Sequence, residues 1–488
     1  MDTPSLRKRE RRRERLGRGR ADVRETMGPK EIVREIFQRT LAAIDIATTV
    51  RNAVSRDGDR LRVVEEEVDL AAFRRVVVIA IGKASVAMAE AVEEILGERL
   101  TDGLVVANAR PSEDRLRLPL FLGGHPVPNE GSLDAATRAL ELLRQVDSPE
   151  TLLLFLISGG GSAIFERPID PSIELSDLQE VNRVLVQCGA VIGEMNVVRR
   201  SLSAVKGGRL ALAAPQSRQI SLYLSDVNDD DLATVASGPT LPDPASPEAL
   251  AEILHRYDLL SRFPPSVTAW LRRGEPRKGS PGVDPGSSRT HHLLLDNRRA
   301  LAVGWQIAAK DFGLTVGLAE DLVEEEVQLL ADRHLDRLQA LAQEHPAAAV
   351  CLLSGGEAIC PVRGSGVGGR NQEFVLRLAL AIERRKLRGV AILSAGTDGI
   401  DGNSPAAGAV ADDHSLRRAR QVGLHPEQAL AGSDAFPLFS ALGDAIMTGP
   451  TGNNVRDLRI LLIVPAVSSD GGLPPSLHPS PSREELST

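Results

Sequence analysis

Aromatic side chains make up only 3% of this 488-residue chain, and that scarcity removes one class of function at the outset. A platform for single-stranded nucleic acid stacks bases on exposed rings, and too few rings are available here. Cysteine is equally sparse. Cys188, Cys351 and Cys360 form no CxxC pair and sit in apolar or mixed runs, so they read as buried thiols in a reducing compartment. Apolar runs such as Leu152–Ile157 fall far short of a membrane span, and no signal-peptide core opens the chain. The expectation is a cytoplasmic protein with no membrane partner. HExxH, a His/Cys metal set, a Ser–His–Asp order and the GxxxxGK[ST] spacing of a P-loop are all missing.

An overall positive charge is missing as well. The formal net charge is -8, so no basic field draws in polyanions, and nucleic acid is not an expected partner. The imbalance is local: residues 1–20 hold nine Lys or Arg against three acids, which leaves the remainder about -14. An acidic body that handles phosphate must do so through a pocket or a metal ion.

What is present is glycine (43 residues) and strand–loop–helix grammar. Residues 1–27 read as a disordered basic tail. Ile32, Val33, Ile36, Phe37, Leu41 and Ile44 recur at helical spacing. The apolar runs Val76–Ile81, Leu152–Ile157 and Leu222–Leu224 lack alternation and are followed by small or acidic residues. Interleaved with helices, they predict an α/β domain over residues 28–261, with a parallel sheet covered on both faces. A Pro/Gly/Ser-rich linker is expected over 262–289. A second α/β unit follows over 290–466, beginning near His292, with strands at Val350–Leu353, Val390–Leu393 and Leu458–Val464. Residues 467–488 read as a second disordered tail. Two α/β domains meeting at their loop ends would place an active site in the cleft between them.

Several loops combine glycine with charge. Ser158-Gly159-Gly160-Gly161-Ser162 follows a buried strand and is built to converge backbone N–H groups into an anion nest. Gly364-x-Gly366-x-x-Gly369 spells a dinucleotide fingerprint. The acid expected about 20 residues later is absent from Val390–Ser394, so the better reading is a loop entering a helix with Arg370 at its mouth. Such a helix start plus a guanidinium suits phosphate oxygens. Lys83 ends a strand where open α/β sheets bind ligands. Arg199 and Lys206 add cations suited to a carboxylate or phosphate, and His125 sits in a loop that can reach a site. Asp226, Asp229, Asp230, Asp398 and Asp401 follow strands, as Mg²⁺ ligands or a base for an attacking hydroxyl would. Glycine loops, fixed cations and paired acids together suit phosphoryl transfer.

Taken together the motifs resemble the class II glycerate kinase family, whose C-terminal half is the MOFRL domain. The likeness runs from about residue 30 to 465. It includes IAIGKASVAMA, GGHPVPNEGS, ISGGGSA, MNVVRRSLSAVKGGRLA, LSDVNDDDLATVASGPTLPDP, LLSGGEA, GGRNQEF, SAGTDGIDG and TGPTGNNVRDL, in the family's order. The resemblance implies a Rossmann-like three-layer domain plus the MOFRL domain, with ATP- and Mg²⁺-dependent phosphorylation of D-glycerate, expected to give 2-phosphoglycerate. It implies Lys83 and Arg370 as cations around the transferred phosphoryl group and Asp398 beside the hydroxyl or the metal. Ser158 to Ser162, Arg199, Lys206, Gly368, Gly369 and Asn371 become substrate or phosphate contacts, and Asp226 and Asp230 metal ligands. The chain departs from the family at Asn228, Asp229, Glu324-Glu325-Glu326, Ser404-Pro405, Ser433 and Asn453. The rival readings are an NAD(P)H-dependent hydroxypyruvate reductase and a non-catalytic sugar-acid or nucleotide sensor. A homodimer is compatible with all three.

Overall fold

The computed structural model describes residues 27–111, 115–227, 232–273, 288–319 and 325–465. The two expected tails, most of the expected linker, and Asn228, Asp229, Asp230 and Glu324 lie outside the described residues. The chain divides into two compact units that do not follow chain order. The first unit is Ala43–Ala300 with Pro450–Arg456; the second is Met1–Ala42, Leu301–Gly449 and Asp457–Thr488.

Six strands build the main sheet of the first unit: β1 (Arg75–Ile81), β2 (Asp102–Ala107), β3 (Leu120–Leu122), β4 (Thr151–Ser158), β5 (Arg218–Leu224) and β6 (Arg289–Leu295). Their order is β3-β2-β1-β4-β5-β6, and every pair is parallel. This is the doubly wound order, in which the chain leaves β1 toward one edge and returns to build toward the other. The unbroken apolar runs follow from it. All of β4, and β1 beyond Arg75, is buried, because helices cover both faces of a parallel sheet. Val77, Ile79 and Ile81 of β1 share one core with Leu153, Phe155 and Ile157 of β4, packed on Ala135, Ala139 and Leu143 of the helix Glu130–Val146. That helix is fixed at its start by a capping box between Asn129 and Ser132.

The expectation that a second unit begins near His292 is corrected by β6. His292 lies on this strand, and β6 pairs in parallel with β5, completing the first sheet. The helix Pro265–Arg273 also belongs here, burying Val267 among Ile173, Leu185, Leu202 and Phe263. Local composition marked a connector, but the apolar face of this helix had a partner more than sixty residues upstream.

The second unit carries β7 (Thr315–Ala319), β8 (Val350–Gly356), β9 (Val390–Gly396), β10 (Gly408–Asp412), β11 (Ala445–Ile446) and β12 (Asp457–Ile463). Their order is β7-β8-β12-β9-β10-β11; β7 and β8 are parallel and the other pairs antiparallel. The helices Val327–Glu344 and Arg370–Arg384 supply much of its core, with Leu335, Leu338, Phe374 and Leu378 against Leu352, Ile392 and Leu461. The N-terminal helix Pro29–Ala43 has the expected spacing, burying Val33, Ile36 and Phe37. Its Lys30 Nζ lies 3.1 Å from Asp444 and 3.3 Å from Asp412 of the second unit. Among the described residues no helix is long and apolar enough to cross a membrane.

Candidate active site

In the first unit the strand order reverses between β1 and β4, and the loops that leave these two strands carry the predicted residues. Gly82 has φ +118°, and a Cβ there would stand 2.3 Å from Ser158 Oγ. Only glycine permits that approach. Ser158 Oγ accepts from Ala84 N at 3.0 Å, and Lys83 N donates to Gly159 O at 2.9 Å, so the two loops are stitched together. Gly160 is left-handed, at φ 81°. Among the described residues nothing accepts a hydrogen bond from the backbone N–H of Gly159, Gly160, Gly161 or Ser162. Gly159 and Gly161 are buried, and buried N–H groups are rarely left without an acceptor. The Lys83 ammonium has no ion pair among the described residues either. Four donors and a cation thus converge where doubly wound sheets bind ligands.

Asp226, just after β5, presses its carboxylate against this nest: a Cβ on Gly159 would lie 1.9 Å from its Oδ2. Burial pushes the Asp226 pKa up, partly offset by the charges of Arg456 and Lys83. The segment Pro450–Arg456 is brought here by the fold. Asn454 Nδ2 approaches Asp226 Oδ2 at 3.4 Å, and Arg456 Nε donates to the Asp226 carbonyl. Asn454 and Arg456 were not singled out from sequence, although both lie in the TGPTGNNVRDL motif. Asn453, one of the family departures, turns away and donates to Ile44 O at 2.9 Å. The His125 pKa is lowered by partial burial and then by the charge of Lys83, which places this loop near the same cluster.

Ser162 Oγ pairs with Ser237 Oγ at 2.6 Å, and Ser237 Oγ donates to Asn196 Oδ1 at 3.1 Å. Ala236 and Ser237 both have positive φ, 52° and 59°, a strained pair packed on Gly161. The helix Ile192–Leu202 carries Asn196 and also Arg199. Arg199 donates to Asn182 Oδ1 at 3.0 Å, and burial lowers its pKa against the opposing charge of Glu166. Lys206 is fully buried, with its ammonium on Glu166, which also accepts from Ser203 Oγ at 2.5 Å. Burial pushes the Lys206 pKa down despite that partner. The structure therefore commits Lys206 to Glu166, apart from the open donors of the nest.

The second unit treats its glycine loop differently. The helix Arg370–Arg384 starts directly after Gly369. Its free N–H groups, offered to phosphate on sequence grounds, are already taken: Asn371 N donates to Asp401 Oδ1 at 3.0 Å and Gln372 N to Asp401 Oδ2 at 2.9 Å. The physical reason is close packing, since a Cβ on Gly369 would fall 2.3 Å from Asp401 Oδ1. Burial pushes the Asp401 pKa up to about 6, opposed by those two N–H groups. Ser404, another departure, accepts from Gln372 Nε2 at 2.7 Å and so belongs to this network. Gly368 N donates to Asn403 Oδ1 at 2.9 Å.

Arg370 is held by a carboxylate that sequence reading passed over. Its Nε and Nη2 donate to Asp457 at 2.7 and 2.9 Å, and Nη2 also reaches Glu357 at 2.9 Å. Asp457 is wholly buried and accepts from Asn371 Nδ2 at 2.9 Å. Burial alone would depress the Arg370 pKa, but Asp457 and Glu357 hold it above its ordinary value. Burial likewise opposes the Asp457 charge, and Arg370 with Arg459 outweighs it, keeping that pKa low. The strands β8 and β12 are neighbours, which is why Glu357 and Asp457 meet at one guanidinium. Asp398 is half-buried in the loop after β9, accepting from Ile400 N at 3.1 Å.

Among the described residues no three His, Cys, Asp or Glu side chains form a metal cluster. Mg²⁺ needs less, commonly one or two carboxylates with phosphates and water. Asp226 fits that demand: it is half-buried, its carboxylate has one long contact, to Asn454, among the described residues, and partial burial disfavours its charge unless a cation stands nearby.

Comparison with known proteins agrees with this layout. Residues 32–272 match a domain of unknown function, DUF4147, and residues 350–457 match the MOFRL family. A D-glycerate 2-kinase of Thermotoga maritima is 34% identical, over 86% of this chain and 98% of that protein. A protein of Agrobacterium vitis provisionally named a hydroxypyruvate reductase is 37% identical, over 80% of this chain and 99% of its own. The crystal structure of a glycerate kinase from Thermotoga maritima superposes with a TM-score of 0.76 at 32% identity, covering 89% of this chain and 99% of that one.

Proposed function

The chain belongs to the glycerate kinase family with a MOFRL domain, and on that premise we propose that it moves the γ-phosphoryl group of ATP to the 2-hydroxyl of D-glycerate. The observation that carries this reading is the nest after β4. Among the described residues, four backbone N–H groups without protein acceptors lie at the same loop junction as a Lys83 ammonium that makes no ion pair, at the switch point of a doubly wound sheet. Such a nest suits a group bearing several anionic oxygens.

In the reaction the glycerate hydroxyl oxygen forms a bond to the γ-phosphorus, and the bond from that phosphorus to the β,γ-bridging oxygen breaks. ADP leaves with the electron pair, and the hydroxyl proton passes to a carboxylate. There is little covalent work for the protein, so positioning and charge neutralisation account for nearly all of the rate. Lys83 and Arg370 neutralise charge on the transferred group. Asp457 holds the Arg370 guanidinium by two of its donors, so that the fork is set before the substrate arrives. Asp398 is the carboxylate assigned to the hydroxyl proton. Asp226 would hold Mg²⁺, with Asp230, which lies outside the described residues, as the second ligand in this reading. Bound there, the metal would supply charge neutralisation for the nucleotide phosphates.

The reductase reading has less support. The Gly364-x-Gly366-x-x-Gly369 loop lies in the second unit, where its N–H groups and backbone close on Asp434, Asn403 and Gly432. The doubly wound sheet instead ends β1 in Gly82-Lys83-Ala84-Ser85, without the fingerprint. The test is direct. The purified protein is incubated with ATP, Mg²⁺ and D-glycerate and followed by phosphorus NMR. A phosphoglycerate resonance that disappears when Mg²⁺ is omitted is expected, and its shift identifies the hydroxyl. Folded protein that binds ATP yet forms no phosphoglycerate would sink the assignment.

A further inference from the structure

We propose that the cavity beside Arg370, within the second unit, seats the nucleoside part of the phosphoryl donor. The inference rests on the kinase reading above and gives that reaction's donor a place. The cavity measures about 400 Å³, within the span of small-molecule sites. Ala358, Cys360, Val362 and Ala435 line it, together with the glycine loop 366–369, and Arg370 forms part of its wall.

The polar groups around it are already engaged. Asn403 accepts from Gly368 N and donates to Gly366 O at 3.1 Å, and Ser433 Oγ accepts from Arg363 N at 3.0 Å. Glu373 binds Arg377 at 2.6 Å and accepts from Cys360 Sγ at 3.3 Å. What remains is an apolar slot with a guanidinium beside it. Glycerate, a three-carbon anion, would gain little there and would leave its hydroxyls without partners. A nucleobase is flat, larger and uncharged, with apolar faces that fit the slot while its ribose hydroxyls stay toward water, and the nucleotide ends in phosphates that Arg370 can take. Asp457 and Glu357 occupy Nε and Nη2 of Arg370, and Nη1 has no protein acceptor among the described residues. Val362 is 80% exposed, an apolar side chain on the rim that a stacked base would cover.

Because Val362 is so exposed, Val362→Trp and Val362→Asp should fold normally, which thermal melting checks. Trp fills the slot, and Asp sets a charge against the base. Steady-state kinetics are measured with each substrate in turn, and binding of fluorescent mant-ADP is titrated on the same proteins. The expected result is a rise of about fivefold or more in KM for ATP and in Kd for mant-ADP, with KM for D-glycerate within about twofold of wild type. A smaller change in the nucleotide constants, or a rise in the glycerate KM instead, overturns the assignment. Failure of the kinase reading looks different: wild-type protein would form no phosphoglycerate, while the mant-ADP titration would still report on the cavity.

Discussion

The two glycine-rich loops of this chain read alike in sequence and are built for opposite conditions. In the first unit, residues 158–162 leave four N–H groups without an acceptor, beside a lysine with no ion pair, among the described residues. In the second, residues 364–369 lead into a helix whose first N–H groups are capped by Asp401, beside an arginine already held by Asp457. Glycine permits close approach of the backbone, but it does not say what approaches. At Gly159 the neighbour is the Asp226 carboxylate and at Gly369 that of Asp401, but only Asp401 takes the backbone N–H groups beside it. In the proposed reading one loop receives charge, and the other is a mount for a guanidinium.

The largest effect that would sharpen this contrast is removal of the mount. Asp457→Ala leaves Arg370 and Arg459 without the carboxylate between them, and breaking a buried pair typically costs about 3–5 kcal/mol. Urea denaturation should show the loss, and an unchanged midpoint would mean that Asp457 does not anchor this network.

Next come the cations themselves. Lys83→Ala and Arg370→Ala should each lower kcat by about 10²–10³. Melting temperature should stay close to wild type for Lys83→Ala, whose ammonium makes no ion pair among the described residues. Retention of more than about a third of turnover by either folded variant would refute that residue's role.

The glycines themselves allow a direct test of the contrast. Gly369→Ala drives a methyl group into Asp401 and should destabilise the fold by about 1–3 kcal/mol, seen by calorimetry. Gly160→Ala meets only side-chain atoms, Lys83 Cγ at 3.0 Å and Ile164 Cδ1 at 3.3 Å, and bears mainly a left-handed backbone penalty of about 1–2 kcal/mol. Its characteristic effect should be on KM for ATP. If the kinetic consequences were reversed, the open and closed assignments would be reversed with them.

The smallest effect is a pH slope. Asp401 has a folded pKa of about 6, above its ordinary value of 3.8. Between those values the folded chain keeps a proton that the unfolded chain has released, so this group's contribution to stability falls as pH rises through that window. The slope cannot exceed about 1.4 kcal/mol per pH unit. Asp401→Asn should remove it, visible as a difference in melting temperature between pH 4.5 and 6.5 relative to wild type. Identical slopes in both proteins would place the Asp401 pKa elsewhere.

Much of this was legible before folding was considered. The unbroken runs at Val76–Ile81 and Leu152–Ile157 announced buried parallel strands, and the helical spacing from Ile32 was correct. Lys83, Asp226 and the Ser158–Ser162 turn were named, and the fold brings those three together. Asp457 was missed because it sits at the start of a strand between Arg456 and Arg459, where an acid reads as a local charge partner. Its role exists only once β12 pairs with β8 and delivers it beside Glu357 and Arg370. Lys206 shows the converse, a cation marked by type and then enclosed with Glu166.

The sequence by itself determined the α/β class, three strands of each six-stranded sheet and the residue types able to handle phosphate. Those properties are local, resting on side-chain periodicity and on what glycine, lysine and aspartate can do chemically. Only the tertiary structure decided that β6 closes the first sheet, that Pro450–Arg456 joins the Asp226 cluster, and which glycine loop stays open. Each depends on contacts between residues far apart in the chain. Whether a buried N–H meets a carboxylate or is left bare is decided by which distant segment packs against it.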